Sequence, residues 1–181
     1  ALRLWQLETV IHSFIDELNF LDMLVRFNWD KPPPMLVTLG GTKEFTWVYP
    51  YFQRWSVNLL GPSLTSLRMV SVIVGVWTVL ATYGLAVNLF NRRIALMSAM
   101  LLTTLPLHIH FSRVGITNIV DPFWGVTGFA FLVRAVKQKR TTDFAIAGVM
   151  LGLSHYYYEG GRLFFTLFAF CWLVWLYIWR K

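Results

Sequence analysis

Between Met69 and Phe90 the chain carries no charged side chain. Wound as an α-helix, that stretch is about 33 Å long, enough to cross a hydrocarbon core of about 30 Å. Its solvent is therefore lipid, and the composition agrees. The residues are 56% hydrophobic, 17% aromatic and only 14% charged, with a mean hydropathy of +0.54, too apolar for an ordinary soluble domain. The sequence predicts an all-α integral membrane protein. Its spans are expected near 67–90, 94–111, 119–136, 144–158 and 163–179, which makes 64–181 a transmembrane bundle. The second and fourth are short, and their ends finish either inside a protein-lined cavity or at the interface.

Residues 1–63 read differently. Ser13 is placed to cap a helix reaching about Phe27, with Phe14, Leu18, Leu21 and Val25 on one stripe and Asp16, Asn19 and Asp22 on another. Pro32 to Pro34 stop it, since proline lacks the N–H donor and restricts the residue before it. Gly40-Gly41 marks a turn. Thr46 to Leu60 then forms a second amphipathic candidate, in which Trp47, Tyr49, Tyr51, Phe52 and Trp55 alternate with Gln53, Arg54 and Asn58. That mixture suits the headgroup layer. Because the chain starts on Ala1 and stops on Lys181 at the end of an apolar run, a piece of a longer polypeptide is expected.

Charge sets the orientation. Arg92-Arg93, then Lys137, Lys139 and Arg140, then Arg180-Lys181 occupy alternate connections, which the positive-inside rule puts in the cytoplasm. The remaining connections and residues 1–63 face outward. A formal charge of +7 would suggest nucleic acid or acidic lipid in a soluble protein, but these basic residues form no single patch, and no nucleic-acid partner is expected. Cys171 is the lone cysteine, so no intrachain disulfide forms.

The outer face thereby collects Asp16, Glu17, Arg68, His108, His110, Arg113, Asp121, His155, Glu159 and Arg162. Arginines match phosphate oxygens bidentately, and a nearby carboxylate can deprotonate an acceptor. Such a face suits a lipid-linked phosphosugar. Each group also has a plainer use. Arg and His at helix ends snorkel to the interface, and acids in a first helical turn answer the helix dipole. His108 and His110 lie roughly 200° apart on a helix, which disfavours a two-histidine clamp and leaves them as pocket or interface groups.

The order of short motifs nonetheless resembles one family. Leu2-Arg3-Leu4-Trp5, Asp16-Glu17, Leu59-Leu60-Gly61-Pro62 with Leu67-Arg68, and Leu89 to Ala95 come first. Pro106 to Arg113, Asp143 to Gly148 and Leu151 to Ser154 follow. Together they resemble the N-terminal part of GT-C fold glycosyltransferases of the dolichyl-phosphate-mannose protein mannosyltransferase type, including bacterial relatives that use polyprenyl-phosphate sugars. The resemblance implies a first outer loop with juxtamembrane helices, a bundle that holds the lipid donor, and a bacterial or archaeal plasma membrane with the active face outside. It implies Asp16 as general base for inverting transfer and Glu17 as the neighbour that orients it or the acceptor. It also implies Arg68, Arg113 and Arg162 as candidates for the donor phosphate, with His108 and His110 in the substrate pocket. A divalent metal near the acidic loop is possible in such relatives. The acceptor stays open. A second reading is a multispan scaffold or lipid-phosphate-binding subunit with the same fold. A transporter has less support, because no pair of Gly/Pro-broken helices suggests an inverted repeat.

Overall fold

A computed structural model of the protein describes residues 3–7, 9, 15–25, 36–39, 43–46, 48–157 and 159–179. The expected cap at Ser13, the stop at Pro32 to Pro34 and the turn at Gly40-Gly41 lie outside those residues. Helices α1 (Ile15–Val25), α2 (Val48–Leu60), α3 (Leu64–Leu89), α4 (Arg92–Thr104), α5 (Pro106–Phe111), α6 (Val120–Gln138), α7 (Thr141–Tyr157) and α8 (Glu159–Trp179) carry the fold. One short hairpin adds to the all-helical expectation. Strands β1 (Leu36–Leu39) and β2 (Lys43–Thr46) pair antiparallel, with Leu36 opposite Thr46 and Leu39 opposite Lys43.

Local chemistry explains where the helices stop. Gly61 takes φ +88° and its N–H donates to Val57 O at 2.9 Å, a left-handed close that only glycine accepts without strain. Ser63 then caps α3 reciprocally: its Oγ accepts from Ser66 N, and its own N–H donates to Ser66 Oγ, both at 3.1 Å. Asn91 Oδ1 accepts from Ile94 N at 3.0 Å and caps α4. The expected second span is broken. Leu105, held extended at φ −63° and ψ 116° by the following Pro106, separates α4 from α5.

Among the described residues, two helical stretches, Leu64–Leu89 and Thr117–Gln138, are long and apolar enough to cross a membrane, matching the first and third of the five spans expected. The second adds a 3-10 turn, Thr117–Ile119, to α6. Phe164–Trp179 within α8 is apolar but shorter. Outward-facing side chains on α3, α4 and α8 include Ile73, Trp77, Leu80, Met97, Leu101, Phe168 and Trp175. So much exposed apolar surface fits a lipid solvent.

The chain divides into two compact units, residues 1–77 with 102–119, and residues 78–101 with 120–181. The first cuts across the expected boundary at residue 63, because the first part of α3 and the segment around α5 pack with the N-terminal residues. The second is built on α6, α7 and α8. Leu132, Ala147 and Ala169 form its core, flanked by Phe129, Leu151 and Trp172. Gly128 lets α6 approach Leu151, where a Cβ would come within 2.8 Å of the leucine side chain. Asp143 accepts both bonds of a bidentate pair from Arg134 at 2.7 Å and closes the α6–α7 turn, while the guanidinium lies 4.6 Å over the Phe131 ring. Lys137 Nζ donates to Asn88 O, bringing the C-terminal ends of α6 and α3 together.

Candidate functional site

The first unit buries a set of polar groups alongside its apolar core and turns apolar faces of α1 and α2 outward. On α2 the buried stripe is Tyr49, Gln53 and Ser56, whereas Phe52, Trp55 and Leu59 are exposed. The spacing is helical in both cases, so α2 is an amphipathic helix with its polar face toward protein. The stripe Leu18, Leu21 and Val25 of α1 is likewise exposed, while Glu17 and Leu24 are buried. In water these outward apolar faces would be unfavourable. Against a headgroup layer they are expected.

Glu17 is the centre of the buried network. Its side chain is 1% exposed and that of Arg68 0%. Arg68 Nε donates to Glu17 Oε1 and Nη2 to Oε2, both at 2.7 Å, in the fork geometry that only arginine offers a carboxylate. Gly115 N donates to Glu17 Oε1 at 2.8 Å. Arg68 Nη1 donates to Leu7 O at 2.5 Å. One ion pair thus joins α1, α3, the N-terminal turn and the loop after α5. Gly115 leaves little room there: a Cβ would come within 3.0 Å of Glu17 Oε1 and 3.2 Å of Gln53 Nε2.

The same loop is held from the other side. Gln53 Nε2 donates to Gly115 O at 3.0 Å, and Ser71 Oγ donates to Val114 O at 2.6 Å. With its proton so used, Ser71 accepts from Tyr49 Oη at 2.5 Å. Burial is the main cause that pushes the Tyr49 phenol well above its ordinary value, so it stays a neutral donor.

A third set links residues 3–7 to α5. Arg3 Nη2 donates to His108 Nδ1 at 2.9 Å and Arg3 Nε to Ser112 Oγ at 3.3 Å. Ser112 Oγ donates in turn to His108 O at 2.6 Å. Arg113 Nη2 donates to Trp5 O at 2.6 Å and Gln6 O at 3.2 Å. Burial pulls the Arg3 guanidinium below its ordinary value. Gly75 of α3 faces this set, and a Cβ on it would overlap Ser112 Oγ.

Of the residues expected from the sequence, Glu17, Arg68, His108 and Arg113 are all buried in this unit. Arg68 is committed to Glu17 and the Leu7 carbonyl. His110 is half-buried and lies edge-on to Phe111, with ring centroids 5.5 Å apart. Asp16 belongs to α1 and Arg162 to α8, but both side chains fall outside the described residues. Gln53, Tyr49, Ser71 and Gly115 were not expected from the sequence. The i, i+4, i+7 polar spacing of Tyr49, Gln53 and Ser56 was the signal for the first two. Among the described residues no three of His, Cys, Asp and Glu come together as a metal site.

The family model for dolichyl-phosphate-mannose-protein mannosyltransferase matches residues 46–181. No curated protein and no solved structure matches the chain.

Proposed function

The chain belongs to the dolichyl-phosphate-mannose-protein mannosyltransferase family, and on that premise we propose that it serves to move a sugar from a polyprenyl-phosphate donor to an acceptor on the extracytoplasmic face, with inversion and with Asp16 as general base. Family membership implies a membrane glycosyltransferase. The observation that supports the finer reading is the Glu17–Arg68 pair, which pins α1 at the residue next to Asp16.

In this reading the two adjacent acids divide the work. Glu17, held by Arg68 and Gly115, fixes the rotation of α1 and is not available as a base. Asp16, about 100° away around the helix, takes the proton of an acceptor hydroxyl as its oxygen attacks the anomeric carbon. The carbon–oxygen bond to the phosphate breaks on the opposite side, and polyprenyl phosphate leaves. A single displacement inverts the anomeric centre. Arg113 is the proposed partner of the leaving phosphate, whose charge grows as the bond breaks. Arg68 acts as the counter-ion of Glu17.

The test is transfer by the full-length protein in vesicles, given a labelled polyprenyl-phosphate sugar and a membrane extract as acceptor source. The expected result is release of polyprenyl phosphate with the sugar on a new acceptor in inverted configuration. Turnover of a nucleotide sugar alone, or retention of configuration, would count against it.

A further inference from the structure

We propose that the two basic turns at one end of the second unit, Arg92-Arg93 and Lys137 to Arg140, seat a phospholipid with two phosphates in one headgroup, diphosphatidylglycerol. The inference stands apart from the donor reading. Both turns belong to the second unit. The first joins α3 to α4 and the second joins α6 to α7, and Lys137 Nζ, donating to Asn88 O, holds them together. Arg92, Arg93, Lys137, Lys139 and Arg140 are all exposed. Acids do not balance them. The unit's sequence holds three, Asp121, Asp143 and Glu159. Asp121 lies in the first turn of α6, about 24 Å along the helix from Lys137, and Glu159 opens α8, beyond the far end of α7. Asp143 is 2% exposed and gives both oxygens to Arg134, although the charge of Arg140 also bears on it.

Local backbone chemistry favours anions at the same place. Arg92 and Arg93 open α4, whose first turn holds no acid, so two cations sit at the positive end of the helix dipole. Lys139 takes φ +54° just past the end of α6, a left-handed close that glycine adopts without strain. The chain thus keeps a cation where glycine would be the more stable choice. Phosphate relieves the mutual repulsion of these charges, and clusters of four or more basic residues at a membrane surface attract anionic headgroups strongly. Apolar side chains identify what carries the phosphate. Phe90, Ile94 and Met97 beside the first turn and Phe144 beside the second are exposed, within about one helical turn of the cations. Charge with apolar surface directly beside it matches a phospholipid, whereas a soluble anion has no use for the apolar part. Two basic turns, each with at least two cations, match two phosphodiesters on one glycerol better than a single phosphate.

Equilibrium binding to the full-length protein in zwitterionic detergent tests this, with diphosphatidylglycerol carrying a fluorophore on one acyl chain as probe. Phosphatidylglycerol and pyrophosphate are the competitors. One variant combines Arg92→Gln with Arg93→Gln, and another combines Lys139→Gly with Arg140→Gln. Lys137 is left in place because it joins the two turns. Each pair is expected to weaken binding about tenfold or more, with the thermal midpoint in lipid-free detergent unchanged. Phosphatidylglycerol should compete weakly and pyrophosphate hardly at all. Wild-type affinity in either pair overturns the proposal, because the two turns are held to act together. Displacement by phosphatidylglycerol at concentrations equal to the probe would leave only diffuse surface charge and overturn the two-phosphate assignment. Equal displacement by pyrophosphate would make the patch a soluble-anion site and overturn the lipid assignment. Should a pair unfold, Lys139→Gly alone decides, since glycine suits the backbone there. It is expected to keep or raise the thermal midpoint and to weaken binding about fivefold, and unchanged affinity overturns the proposal.

Discussion

At the scale of single residues, the account separates two adjacent acids that the sequence presents as a pair. Glu17 is enclosed by Arg68 and Gly115 N–H, so Glu17→Gln leaves a guanidinium buried without its counter-charge. Loss of one partner from such a pair costs about 3–5 kcal/mol, and denaturation in detergent should show a deficit of that size. Gly115→Ala should also destabilise, because its Cβ must push between Glu17 and Gln53. Neither cost was legible beforehand. The sequence offers Glu17, Arg68 and Arg113 as separate polar groups at helix ends, and nothing in residue spacing says which arginine meets the acid. That choice is made by a contact across 51 positions, which only the fold brings together.

At the scale of elements, the helices were largely legible and their faces were not. Proline at 106, the Asn91 cap and Gly61 mark helix ends by local chemistry that the sequence displays directly. The outward stripe of Phe52, Trp55 and Leu59 on α2 has the same period as an ordinary buried stripe, so periodicity found the helix without saying which side meets protein. The hairpin of β1 and β2 was missed because its strands are only four residues long. Between α6 and α7 the Asp143 carboxyl is held below its ordinary value, first by its hydrogen bond from Arg134. A depressed folded-state value means that the pair's contribution is present above the unfolded carboxylate range, near pH 4, and is lost as pH falls through the lower folded value. Asp143→Asn should therefore lower the thermal midpoint at pH 7, and the gap to wild type should close in acid. A gap that persists below the folded value would rule out the ion pair as its source.

At the scale of the whole molecule, the loop charges predict an orientation, and the structure supplies one pairing of helix ends. Lys137 reaches the carbonyl of Asn88, so two connections assigned to the cytoplasm by charge are neighbours. With Cys171 replaced by serine, a cysteine at Lys139 should react with an impermeant maleimide only from the cytoplasmic side, and one at Ser63 only from outside. Exchange of the two sides would reverse the topology and remove the acidic helix from the face proposed for chemistry, and labelling of both from one side would contradict the predicted number of crossings. The centre of the account is Asp16 as the base that activates the acceptor. Its most direct test is the transfer rate of Asp16→Asn against wild type, at equal amounts of folded protein and saturating polyprenyl-phosphate sugar. A loss of about a hundredfold or more, with the thermal midpoint kept, is the predicted result. Turnover within twofold of wild type would contradict it.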